Sequence, residues 1–152
     1  MTDPISFTSA SPRFSLPFLF AAQAQREFYV NEALARLDAL LHPVVQGIAN
    51  DPPLSPQEGE CWIVGPDPTG EWAGHPDAIA TMQSGNWLLI EATTGLQVYN
   101  QSSTQCARYD SGWLSASTPA NPTGGSVQDL EARTAISGLI AALVSAGILP
   151  SA

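Results

Sequence analysis

The side chains able to do chemistry are few in this sequence. His42 and His75 are its only histidines, and Cys61 and Cys106 its only cysteines. A zinc site of the His/Cys type needs its ligands in closely spaced pairs. These four residues form no such pairs, so no metal is expected and no other cofactor is implied. Five carboxylates, Glu58, Glu60, Asp67, Glu71 and Asp77, fall within "QEGECWIVGPDPTGEWAGHPD". Two of them facing each other across a cleft could hydrolyse a glycosidic bond. In loops this rich in Pro and Gly, however, acids ordinarily serve as solvated turn residues. "QSG" and "DSG" lack the G-x-S-x-G frame of a nucleophile elbow. "GPDPTGEW" has the glycines of a phosphate loop without its G-K-[ST]. No catalytic residue is assigned, and the chain is read as not an enzyme.

Tryptophan offers a different chemistry, stacking on sugar rings. Trp62 and Trp87 sit among Ile, Val and Leu and are read as core, because strand tryptophans bury large apolar area. Trp113 opens a strand. Trp72, in the glycine-rich "TGEWAG" loop, is the candidate for an exposed contact, with His75 beside it.

The totals exclude whole classes. At 152 residues the chain suits one compact domain or a small domain with appendages. Only 12% of residues are charged, against roughly 25% in typical soluble domains. The net charge is −9 and there is no lysine. Arg13, Arg26, Arg36, Arg108 and Arg133 are scattered, so the clustered basic footprint of a nucleic-acid binder is missing. Anionic membrane surfaces are disfavoured for the same reason. No run of about 18 apolar residues suggests a span, and the N-terminus lacks the basic and apolar regions of a signal peptide. Synthesis in the cytoplasm without membrane insertion is expected. Cys61 and Cys106 are read as free, buried thiols rather than a disulfide.

The elements that must position these residues follow from periodicity. Residues 1–19, rich in Ser and Pro, predict an extended arm with Phe7 and Phe14 as anchors for a partner protein. Residues 20–43 predict a helix stopped by Pro43. At 100° per residue, Tyr29, Val30, Leu34, Leu37, Leu40 and Leu41 share one face, and Val30, Leu34, Leu37 and Leu41 form a short heptad seam. The opposite side is rich in alanine (Ala21, Ala24, Ala35, Ala39). Glu27, Asn31 and Asp38 form one polar seam between the two faces. Gln25, Glu32 and Arg36 form the other, with Glu32 and Arg36 spaced for an i,i+4 pair.

A Pro-rich connector follows. Residues 44–116 then read as an antiparallel β domain of short strands and hairpins. "MQSGNWLLI" is echoed by "RYDSGWLSA", each a strand, a Ser-Gly turn and a Trp opening the return strand. Residues 117–126 have the composition of a flexible linker. Residues 127–149 predict a second helix, with Ser126 as N-cap and Asp129 completing a near capping box. Ala132, Ile136, Leu139, Ile140 and Leu143 form its apolar face. The fold class is therefore α+β: a long N-terminal helix, a small antiparallel β domain and a C-terminal helix. Both helices carry more apolar surface than one small domain covers. A symmetric homo-oligomer is expected, through Val30, Leu34, Leu37, Leu41, Ile136, Leu139 and Leu143.

Ordered motifs add a resemblance. Arg13-Phe14-x-Leu16-Pro17-x-Leu19 is followed by Gln23-Ala24-Gln25-Arg26-Glu27 and then Asn31-Glu32-Ala33-Leu34-x-x-Leu37-Asp38. Gly59 to Gly65, Gly70 to Ala80, Gly85 to Trp87 and the later "RYDSGWL" continue the series. Over about residues 13–114 this resembles a family of uncharacterised function found in prophages and gene-transfer agents of alphaproteobacteria. The resemblance implies a structural protein of the virion, a head spike or fibre base that docks on capsid or tail proteins and assists host attachment. It implies no catalytic residues. A trimer is the preferred assembly, with a pentamer as the alternative at a fivefold vertex. The runner-up is a glycan-binding receptor module using Trp72 and His75. A polysaccharide hydrolase using the loop carboxylates is the distant third.

Overall fold

The structure is a computed structural model that describes residues 10–20, 26–125 and 129–150. It is α+β, with two helices and two small sheets rich in antiparallel pairing. The chain divides into two compact units, Met1–Ala92 and Thr93–Ala152.

The first unit opens with the arm. Residues 10–20 do not run free; they turn back on themselves. Ala10 and Pro17 form an antiparallel bridge, and the Ser11 N–H donates to the Leu16 carbonyl at 2.9 Å. Helix α1 (Arg26–Leu40) follows. Phe20, expected as its first residue, is not helical, and residues 21–25 lie outside the described residues. The helix ends where His42 takes a left-handed φ of 46°, a C′ geometry that breaks the hydrogen-bond ladder.

The two sides of α1 are used differently from the leucine/alanine division in the sequence. Ala35, Ala39, Glu27 and Asp38 are buried, whereas Tyr29, Val30, Leu37 and Leu41 are exposed. Small side chains let the helix approach its own unit closely. The polar row of Asn31 and Asp38 faces inward because it hydrogen-bonds the arm.

Strands β1 (Val44–Val45), β2 (Ile48–Ala49), β3 (Cys61–Val64), β4 (Ile79–Gln83) and β5 (Asn86–Ile90) complete this unit. One sheet runs β2-β3-β4-β5. The β2–β3 pair is parallel, with Ile48 opposite Ile63, where only antiparallel strands were expected. The Pro-rich connector spans the full strand length between them, which is what a parallel return requires. The β4–β5 hairpin turns at Ser84 and Gly85, with φ of 52° and 75°. Positive φ at both central residues is the turn whose twist matches a two-residue hairpin. Val64, Trp72, Ala78 and Ala80 form a buried cluster, with Trp62, Trp87 and Leu89 packed against it.

In the second unit, β6 (Gln97–Asn100), β7 (Gln105–Tyr109) and β8 (Trp113–Ser115) form an antiparallel meander. The echo of the first hairpin is present in the fold: Trp87 is the second residue of β5 and Trp113 the first of β8, each after a turn containing Ser-Gly. Helix α2 (Leu130–Ser145) is capped by Asp129, whose carboxylate accepts from the Ala132 N–H at 2.9 Å. Asp129, expected at the third helical position behind a Ser126 cap, is thus itself the cap. Ser126 lies outside the described residues. Gly147, with φ of 68°, ends the helix. Its carbonyl accepts from the Cys106 N–H at 2.8 Å, tying the end of α2 to β7.

Candidate functional site

Two of the five loop carboxylates, Glu58 and Glu60, are engaged in holding loops. Glu58 accepts from the backbone N–H groups of Ser84 and Gly85, both at 2.7 Å, so its two oxygens clasp the β4–β5 turn. Glu60 accepts from the Trp62 indole at 2.7 Å and from the Gln57 N–H at 2.8 Å. Asp51 accepts from the Thr69 hydroxyl. His75 pairs with Glu91 at 2.9 Å on the surface rather than with a loop acid. Among the described residues, no three His, Cys, Asp or Glu side chains lie together as a metal site.

Trp72 is the clearest correction. The residue expected to be exposed is fully buried, its ring edge-on to Trp87 with centroids 5.0 Å apart. The glycines that made the loop look open are what allow the indole to fold inward. Gly70 and Gly74 take φ of 57° and 88° on either side of it, conformations a side chain would resist. Trp62 and Trp87, expected in the core, are half-buried and packed against it.

Phe7 lies outside the described residues. Phe14 is exposed, but the backbone that carries it is fixed. Asp38, itself buried, accepts from the Ser11 hydroxyl, from the Arg13 N–H at 3.0 Å and from the Phe14 N–H at 2.7 Å. The Arg13 guanidinium donates to the carbonyls of Asp38, Ala39 and His42 at 2.8–2.9 Å. Those carbonyls are the ones a helix leaves without partners at its C-terminus, where a cation is also favoured by the dipole. Asn31 makes both amide contacts with the Leu19 backbone, at 2.8 and 3.0 Å. The expected extended arm is therefore a latch along one polar row of α1. That row was visible in the sequence as Asn31 and Asp38, seven apart, but nothing in periodicity says a row of polar residues will bind backbone.

The residues expected to meet sister subunits lie largely at the surface. Val30, Leu37, Leu41, Ile136 and Leu139 are exposed, and Leu34 and Leu143 are half-buried. No residue of α2 is buried. A groove of about 530 Å³ opens in the first unit between the arm, α1 and the β4–β5 hairpin. Phe18, Phe28 and Trp87 line it with the amides of Asn31, Gln83 and Asn86. No helix among the described residues is long and apolar enough to cross a membrane.

The two thiols, expected to be alike, differ. Cys61 is buried and Cys106 exposed, and neither is in a disulfide. Burial raises the Cys61 pKa above its ordinary 9.0, offset in part by its hydrogen bond to Thr81. The unfolded chain ionises this thiol first, so its contribution to stability is complete below that ordinary value and is lost as pH rises through the folded pKa. A thiol-reactive dye at pH 7.5 is expected to label one cysteine fast and the second only on unfolding. Two equally fast sites would contradict the burial.

A profile of the family described as "Protein of unknown function (DUF2793)" matches residues 30–114. The match covers most of α1, the whole first sheet and the β6–β8 meander, more than half of the chain. The arm and α2 lie outside it, while Asn31 and Asp38, which hold the arm, lie within it. No curated protein matches the chain.

Proposed function

The chain belongs to the DUF2793 family, and on that premise we propose that it is a non-enzymatic structural protein of a phage or gene-transfer-agent particle. In this reading it is a head spike or fibre base that docks on capsid or tail proteins, assembles with copies of itself and assists host attachment. The ordered motifs from Arg13 to Leu114 support the particle assignment. One structural observation carries the docking role: Tyr29, Val30, Leu37 and Leu41 form an exposed apolar row on α1, Tyr29 at 80% exposure. Large apolar side chains left exposed along one helix row are what an interaction site presents. The employment of Glu58 and Glu60 in loop contacts supports a structural over a hydrolytic role.

Mass spectrometry of gradient-purified particles from the producing cell is the test. Peptides of this chain are expected to co-purify with capsid and tail proteins, and to be lost from particles when Leu37→Glu replaces the native residue. Absence of the native chain from particles of cells that express it would overturn the proposal.

A second reading, glycan binding at the host surface, draws support from the aromatic and amide groove. There Phe28, at 69% exposure, replaces Trp72 as the ring available for stacking.

A further inference from the structure

The α2 helix is covered by its own chain on one side only. The segment expected to be a flexible linker runs back along it as a strap. The Arg133 guanidinium donates to the carbonyls of Pro122 at 2.6 Å and Gly124 at 2.5 Å. The Ser137 hydroxyl donates to the Asn121 side-chain carbonyl at 3.3 Å, and the Thr118 hydroxyl to the Pro150 carbonyl at 3.4 Å. Ile140 and Val144 line the same side, facing Ser117, Thr118 and Asn121. At 100° per residue, Arg133, Ser137, Ile140 and Val144 fall in one sector of the helix, which is the sector the strap occupies.

Immediately beside it lies the row Ala132, Ile136, Leu139 and Leu143, spaced four, three and four. This is the a/d seam of a coiled coil. The strap leaves its middle open: Ile136 is 44% and Leu139 60% exposed, while Leu143 is half-buried. Its occupant is indicated by charge. The whole chain carries −9, so two copies repel wherever acidic surfaces meet. From Thr134 to Ala152 there is no charged residue. A basic partner finds no acid to pair with on this seam. A second copy of the same seam meets it without repulsion and with matching heptad spacing.

We infer that α2 is the self-association element of this chain, pairing with α2 of other copies through Ala132, Ile136, Leu139 and Leu143 while the strap fixes which side faces the axis. This deepens the particle reading by naming the homotypic contact, and leaves the α1 row for the heterologous partner. The strap is what makes the seam single-sided. An uncovered α2 would show more of Ile140 and Val144, now half-buried against the strap, and its apolar surface would be broader.

Analytical ultracentrifugation of the full chain tests this. The native protein is expected to sediment as a concentration-dependent oligomer. Leu139→Glu is expected to weaken association by about a hundredfold or more, because burial of the leucine is lost at every contact. Leu37→Glu is expected to leave it unchanged. In a Cys106→Ser background, Leu139→Cys is expected to cross-link copies on oxidation, whereas Ser145→Cys, outside the seam, is expected to remain monomeric under denaturing electrophoresis. This second measurement reads proximity without depending on how the glutamate is tolerated. A native chain that stays monomeric at micromolar concentration overturns the inference. So does association lost with Leu37→Glu but kept with Leu139→Glu, or cross-linking at Ser145→Cys alone. Any of these outcomes with the chain still present in purified particles sinks the α2 assignment and leaves the particle reading standing. Absence from particles with α2 pairing intact does the reverse.

Discussion

Trp72→Ala is expected to lower the stability of the first unit by about 4 kcal/mol, the cost of emptying a large aromatic site in a packed core. The indole is fully buried among Val64, Ala78 and Ala80, with Trp87 edge-on against it. Its removal strips one partner from each of these residues and leaves a void that the short loop cannot close, because Gly70 and Gly74 already hold positive φ to place the ring. Urea unfolding followed by tryptophan fluorescence should show the midpoint falling, with Trp72→Phe losing less because it keeps part of the volume. An unfolding free energy within about 0.5 kcal/mol of the native protein's, the range of ordinary surface substitutions, would mean the ring is not in the core. The same buried position changes how the glycan reading is examined. Loss of binding in Trp72→Ala would report lost packing, so Phe28→Ala is the informative variant, with binding lost and the urea midpoint kept.

Asp38→Ala is expected to cost about 3 kcal/mol and to lower Tm by roughly 10 °C. The carboxylate accepts from the Ser11 hydroxyl and from two backbone N–H groups, so alanine leaves three donors without their acceptor. Hydrogen bonds to a charged acceptor are stronger than neutral ones, and donors left unmade in a buried setting carry the full desolvation penalty. The loss propagates along the latch. Arg13 reaches the end of α1 only because its own backbone is held by Asp38, so the capping of the Asp38, Ala39 and His42 carbonyls weakens too. Arg13→Ala should therefore reproduce part of the effect, and the double variant should cost less than the sum, the signature of one shared network. Differential scanning calorimetry on the three variants decides the matter. Fully additive losses would separate the two halves of the latch. Limited proteolysis gives an independent readout, since an unlatched arm exposes the bond after Arg13 to trypsin.

The order of helix, β domain and helix, the hairpin turns at Ser84-Gly85 and Ser111-Gly112, and the stop of the first helix before Pro43 were legible in the sequence. Each rests on a local cause: periodicity of apolar residues, or a turn residue able to take positive φ. The apolar rows on α1 and α2 were legible for the same reason, since spacing along a helix fixes which side chains share a face. What faces inward was decided only by the tertiary structure. On α1 the bulkier apolar row points out and the alanine side in, because close approach and the arm's need for hydrogen-bond acceptors outweigh the burial of leucine. Trp72 turned inward although its neighbours are glycines and acids, because a positive-φ hinge on each side lets a surface loop deliver a core residue. The segment read as a flexible linker became a strap because Arg133, sixteen or fewer residues away along the chain, supplies donors to its carbonyls. Composition and spacing determine which elements this chain builds. Hydrogen bonds that Asp38 accepts from the arm and that Arg133 donates to the strap, whose partners no periodicity announces, determine which of their faces remain for other molecules.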